Sequence, residues 1–126
     1  MTMKKLAIIG LLFLSLGLFT ACKNDNPSVI KVFVRSASNE LVEGAKVIIV
    51  GDINSNPETM SWLDTVVTNG SGFAFFNMAA YYEAAGAEEN PVGYFDIIVK
   101  TATKEAFGYI RSRVHTTAVE TVFLPN

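Results

Sequence analysis

The chain has 126 residues, a formal net charge of −2 and one cysteine, which together allow one domain and exclude an internal disulfide. Acidic residues outnumber basic residues by 12 to 10, and the basic residues form no run. The composition therefore lacks the basic surface with which proteins hold nucleic acid, and we expect no nucleic-acid partner.

The amino terminus predicts a cleaved secretory signal over residues 1–21. Lys4 and Lys5 give it a positive start, and an uncharged apolar stretch follows from Leu6 to Phe19. That stretch is shorter than the roughly 20 residues a membrane-spanning helix needs, but it suits the apolar core of a signal peptide.

The signal ends in a segment with a specific resemblance. Leu18-Phe19-Thr20-Ala21-Cys22 resembles the lipobox of bacterial lipoproteins, with Phe19 standing where that motif usually has Leu. The resemblance implies cleavage before Cys22 and attachment of a diacylglyceryl group and an N-acyl chain to it. The alternative is an ordinary signal peptide that ends near a cysteine.

The polar segment 22–28 that follows is expected to be a flexible tether. Lys23 and Asp25 bear a weak likeness to the signal that some Gram-negative bacteria use to export lipoproteins to the outer face. The expected location is therefore exported and lipid-anchored at the outer membrane, and display on the cell surface stays open.

From Val29 onward, alternating apolar residues predict β-strands separated by turns rich in Gly, Asn, Asp, Ser and Pro. The predicted strands are 29–35, one within 41–50, 62–68, 72–77, 93–101, 107–115 and 119–124. Between the fourth and fifth strands, apolar residues recur at helical spacing: Met78, Tyr81, Tyr82 and Ala85. We expect a short helix there, with Asn77 as its N-cap and Gly86 just after its end.

Three segments carry a second resemblance. They are Leu41-Val42-Glu43-Gly44-Ala45-Lys46-Val47, Thr68-Asn69-Gly70-Ser71-Gly72-Phe73-Ala74-Phe75 and Gly93-Tyr94-Phe95-Asp96-Ile97-Ile98-Val99. Together they resemble the carboxypeptidase-regulatory-like domains, a group of the transthyretin-like (prealbumin-like) β-sandwiches.

The resemblance implies an all-β fold over residues 29–126, a seven-stranded Greek-key transthyretin-like or Ig-like sandwich with one short inserted helix near 78–85. Glycines 44 and 72 would serve tight turns, and Phe73, Phe75 and Phe95 would lie in the core. The family is mostly non-catalytic, and its members stiffen, space or dock neighbouring parts. The stretch 77–92 is longer than the usual link in this family.

Sequence patterns for catalysis and metal binding are incomplete. A transthyretin-like branch hydrolyses 5-hydroxyisourate with several His and Arg residues and a carboxy-terminal Tyr-Arg-Gly-Ser, but this chain has one His and ends in Phe-Leu-Pro-Asn. Asp52 begins a calcium-loop pattern that fails at Pro57 and Leu63, so an Asx turn is the better interpretation. We therefore expect no enzyme, no cofactor and no metal.

Candidate contact residues are Tyr81, Tyr82 and Tyr94, which could meet a partner or a sugar ring if they are exposed. The favoured alternative for Tyr81 and Tyr82 is that the helix packs them onto the sandwich. Thr65, within Asp64-Thr65-Val66, matches a short O-glycosylation motif of exported proteins.

Two functional hypotheses follow. The first is a non-catalytic accessory lipoprotein that is held in membrane lipid through Cys22 and docks to another envelope protein. The alternative is a small module that binds a glycan or a peptide through aromatic residues in 73–95. Tyr81, Tyr82 and Tyr94 lining one exposed groove would favour the ligand-binding module, and their burial would favour a spacer or docking role.

Overall fold

The computed structural model describes residues 24–126, so the predicted signal over 1–21 and the predicted lipidation site Cys22 lie outside the described residues. The described chain forms seven strands and one short helix. In chain order these are β1 (Val29–Arg35), β2 (Lys46–Gly51), β3 (Leu63–Val67), β4 (Phe73–Asn77), α1 (Ala79–Ala85), β5 (Val92–Lys100), β6 (Glu105–Arg113) and β7 (Thr117–Phe123).

The strands form two sheets that pack face to face. One sheet has three strands in the order β4-β1-β7, and the other has four in the order β3-β2-β5-β6. All pairs are antiparallel except β1 with β7, which run parallel. The predicted all-β sandwich with seven strands and one short helix is confirmed.

The core lies between the sheets and is built from every second residue of the strands. On β2 and β5 the inward side chains are Val47, Ile49, Phe95, Ile97 and Val99, all fully buried. Burying each of these side chains contributes about 1.5–3 kcal/mol relative to leaving it exposed. This alternation confirms the faces predicted for β2 and β5 and places Phe95 in the core as expected.

The core placement expected for Phe73 and Phe75 is wrong. The inward side chains of β4 are Ala74 and Phe76, both fully buried, while Phe75 is 51% exposed. Antiparallel pairing sets Phe76 opposite the buried Ile30 of β1. Successive side chains of a strand point to opposite faces of the sheet, so when Phe76 faces the core, Phe75 faces outward. The two phenylalanines of the motif therefore face outward.

Two glycines with positive φ lie where the chain changes direction, one before β4 and one after α1. Gly72, at φ +77°, lies in the turn that carries the chain from β3 in one sheet to β4 in the other, and a Cβ there would lie 2.9 Å from the Leu41 side chain. Gly86, at φ +78°, ends α1 as predicted, and its N–H donates to the Tyr82 carbonyl. The N-cap of α1 is Met78 and not Asn77, although the Asn77 side chain accepts the Ala79 N–H at 3.0 Å.

The last residues of the predicted tether belong to the folded domain. Ser28 is buried; its carbonyl accepts the Met78 N–H at 2.9 Å, and its hydroxyl accepts the His115 N–H at 2.7 Å. The His115 ring, in the β6–β7 turn, bonds through Nδ1 to the Asn26 carbonyl at 2.7 Å. The chain is thus fixed to the helix-bearing end of the sandwich from Asn26 onward.

Because Phe76 of β4 faces the core and Phe75 faces outward, replacing each with alanine should destabilise the domain to a different extent. Phe76→Ala empties a buried site and should lower the free energy of unfolding by about 3–5 kcal/mol. Phe75→Ala removes a half-exposed ring and should cost less than about 1 kcal/mol. Urea unfolding followed by circular dichroism measures both, and an equal cost would contradict this orientation of β4.

Candidate functional site

Tyr81 and Tyr82 lie in the core and not on a surface. Tyr81 packs edge-on against Trp62, Tyr82 and Phe95, with ring centroids 4.9–5.5 Å apart. The Tyr82 hydroxyl donates to the Ser112 hydroxyl at 2.8 Å, and burial raises the pKa of both phenols. The interpretation that the helix packs these rings onto the sandwich is confirmed, and they form no exposed contact patch.

Tyr94 is half-buried and stacks on Tyr109 of the neighbouring strand, with centroids 6.2 Å apart and an interplanar angle of 23°. The Tyr109 hydroxyl donates to Asp52 Oδ2 at 2.7 Å. This hydrogen bond to a carboxylate is the main reason that the pKa of Tyr109 is raised to about 12.

The loop between β2 and β3 fixes Asp52 in this position. The Asp52 N–H donates to the Tyr94 carbonyl, and the Tyr94 N–H donates to the hydroxyl of Thr59, which is buried. Asp52 Oδ1 accepts the Asn54 N–H at 3.0 Å, which confirms the predicted Asx turn. The carboxylate is thus held by the backbone on one side and by a tyrosine on the other.

Thr65 is exposed on β3, which lies at an edge of the four-stranded sheet. Its side chain points away from the core, between the outward Leu63 and Val67. The O-glycosylation of Thr65 stays a prediction.

The outer side of the three-stranded sheet is strongly aromatic, and we call it the three-strand face. Its outward side chains include Lys31, Phe33, Arg35, Phe73, Phe75, Thr117, Val119, Thr121 and Phe123. The Lys31 ammonium lies 4.0 Å from the Phe73 ring centroid and 5.3 Å from that of Phe33. The two rings pack at 5.4 Å, so a cation and two aromatic side chains form one unit in the middle of this face.

The outer side of the four-stranded sheet is a second apolar surface, the four-strand face. Its central row, in strand order, is Thr65, Ile48, Ile98 and Phe107, and the row toward α1 is Leu63, Val50, Asp96 and Tyr109. The opposite row is Val67, Lys46, Lys100 and Glu105. Phe107 and Leu63 are each 69% exposed, so this face presents large apolar side chains to solvent.

Sequence reasoning missed both surfaces and the role of Tyr109. The alternation Phe107-Gly108-Tyr109 was a usable signal, because two aromatic residues separated by one position share a face of a strand. The link between Asp52 and Tyr109 had no such signal, since these residues are far apart in sequence and come together only through the loop.

Within residues 24–126, no group of three or more His, Cys, Asp or Glu side chains is placed to hold a metal ion. Among the same residues there is no helix both long and apolar enough to cross a membrane.

No family model matches the chain, and no curated protein matches it significantly. Among solved structures, the TIE protein of Bacillus anthracis is similar at 15% identity and a TM-score of 0.52, over 80% of this chain and 17% of that one. A mutant catechol 1,2-dioxygenase of Acinetobacter radioresistens is similar at 10% identity and a TM-score of 0.48, over 80% of this chain and 52% of that one. The likeness to the TIE protein shows the β-sandwich fold alone.

The Asp52–Tyr109 hydrogen bond predicts a measurable titration. In Asp52→Asn the negative acceptor is lost, so the pKa of Tyr109 should fall from about 12 toward its ordinary value. Because the folded protein favours the protonated phenol, the stability this bond contributes is present below pH ~10 and is lost as the pH rises through the raised pKa. Ultraviolet absorbance of tyrosinate measures the shift, Tyr109→Phe assigns it, and an unchanged titration of Asp52→Asn would contradict the bond.

Proposed function

We propose that this chain is a non-catalytic lipoprotein of the bacterial envelope, anchored through Cys22, whose sandwich domain docks another envelope protein through the three-strand face. The single observation that carries the docking role is the aromatic unit of Lys31, Phe33 and Phe73 on the outside of the sheet. The lipid anchor rests on the lipobox resemblance.

The three-strand face has the composition of a protein-binding surface. Aromatic rings contribute large contact areas and are enriched at the centres of interfaces. Phe75, Val119 and Phe123 are each more than half exposed and surround the central unit. The two rings hold the Lys31 ammonium in place on this face. Its positive charge can therefore select a partner with acidic or carbonyl groups at the matching position.

The burial of Tyr81 and Tyr82 supports docking over ligand binding. A ligand module of the kind considered above would present these rings in an open groove. They instead fill the core between α1 and the sheets, with Tyr81 only 1% exposed. The aromatic residues that reach solvent lie on broad sheet faces, which suit a protein surface better than a small molecule.

The Tyr94–Tyr109 stack favours a second candidate, a module that binds a small glycan or a peptide. A sugar ring can pack on an exposed aromatic ring while a carboxylate such as Asp52 accepts its hydroxyl groups. A glycan screen with the wild-type protein and Tyr109→Ala tests this candidate, which requires binding that the substitution abolishes.

The docking role predicts a partner that depends on Phe75. The lipidated protein should retain a specific partner in a pull-down from solubilised envelopes, read by mass spectrometry. Phe75→Glu should lose most of that partner, because it places a charge on the apolar surface. Ile53→Glu is the matched control, since Ile53 lies on a loop away from this face and is 53% exposed against 51% for Phe75.

Anchoring is tested separately. Wild-type protein should incorporate radiolabelled palmitate, and Cys22→Ala should not. Labelling without a partner sensitive to Phe75 would reject the docking role alone, whereas a partner without labelling would reject the lipid anchor alone.

A further inference from the structure

The four-strand face combines exposed apolar side chains with charges on both sides of its central row. The central row is Thr65, Ile48, Ile98 and Phe107. On one side of this row lies the exposed carboxylate of Asp96, and on the other lie the exposed ammonium groups of Lys46 and Lys100 beside the carboxylate of Glu105. Asp96 and Lys100 are on the same strand, each two residues from Ile98, so the charges are placed symmetrically about the row.

A sheet face of this kind can meet its own copy in two simple ways. In a twofold dimer of two faces the axis lies between them and runs either along the strands or across them. An axis along the strands, between β2 and β5, sets Lys46 of each copy against Lys100 of the other. This arrangement places like charges together and leaves Asp96 against the apolar Val50.

An axis across the strands, along the central row, places opposite charges together instead of like charges. Each residue then meets the residue at the mirror position on the same strand of the second copy. Ile48, Ile98 and Phe107 meet their own counterparts, and Lys100 meets Asp96 twice by symmetry. Lys46 and Glu105 flank Lys100 in the register and approach the same carboxylate with opposite charges, so the direct pairs of Lys100 with Asp96 decide the orientation.

We propose that the four-strand face binds a second copy of this chain, in a twofold dimer whose axis runs along the row from Thr65 to Phe107 and which pairs Lys100 of each copy with Asp96 of the other. The apolar central row supplies the contact, and the charge pattern selects the antiparallel orientation. This inference rests on the sheet alone and not on the proposed anchor or docking partner.

The geometry of packed sheets is compatible with these pairs. Facing sheets lie about 10 Å apart, and their strands cross at about 30°. This crossing displaces a residue two positions from the axis by about 3 Å sideways from the residue it faces. A lysine side chain spans such an offset. Strand spacing gives a flat footprint of about 300 Å² per copy, against about 800 Å² of accessible surface that each partner buries in a standard interface. The dimer should therefore be weak and reversible.

The test exchanges the charges of Asp96 and Lys100 and measures the dissociation constant of the dimer by sedimentation equilibrium. The full chain carries Cys22→Ala, and concentrations extend to the millimolar range. The unswapped chain should show a reversible dimer. Asp96→Lys alone or Lys100→Asp alone puts like charges opposite each other and should raise the dissociation constant about tenfold or more. The double variant exchanges the two charges within one chain and should restore the dimer.

Matched substitutions separate this face from the rest of the surface. Phe107→Ser should weaken the dimer, because Phe107 lies on the axis. Phe123→Ser should leave it unchanged, because that ring, 56% exposed, lies on the three-strand face. Circular dichroism confirms that each variant is folded.

Cross-linking provides a second readout. Ile98→Cys, on the axis and with Cys22→Ala as background, should give a covalent dimer with a short bismaleimide, since the facing strands are too far apart for a direct disulfide. Thr117→Cys, on the outer side of the other sheet, should not. A monomer at every concentration, single reversals that match the unswapped chain, or a double variant that stays dissociated would each overturn the proposed dimer.

Discussion

A strand can bury only every second side chain, and this constraint governs the surface as well as the core of the domain. Two sheets enclose one apolar layer, so every outward position faces solvent unless something else covers it. In β4 and β6 the outward positions carry Phe75, Phe107 and Tyr109. These side chains add nothing to the buried core, and their presence there is why both sheet faces resemble interaction surfaces.

Much of the fold was predictable because its elements have strong periods. The strands that follow Val29, Ala45 and Gly93 alternate clearly, and the helical spacing around Tyr81 marked α1. The orientation of β4 was not predictable, because Phe73, Phe75 and Phe76 offer apolar residues on both sides of the strand. Only the pairing with β1, which sets Phe76 opposite Ile30, decides which of them are buried.

The candidate surfaces were harder to predict than the fold. Tyr81 and Tyr82 could be identified as important aromatics, but their burial depends on the sheet beneath the helix. The neighbouring positions of Lys46 and Lys100 follow from the register of two strands separated by a long stretch of chain. Such relations belong to the assembled sheet, and no local pattern in the sequence contains them.

The hold of His115 on Asn26 has a consequence for orientation at a bilayer. Only three residues separate Asn26 from Cys22, so the two Cα atoms can be at most about 14 Å apart. In the proposed antiparallel dimer of four-strand faces, the chain segments that precede Asn26 start at opposite ends of the assembly. Both start on the same flank, beside β6 and β7. With the proposed lipid on Cys22 of each copy of the proposed dimer, the strands would lie parallel to the bilayer plane with that flank downward. The three-strand faces would then point sideways into the space between neighbouring molecules.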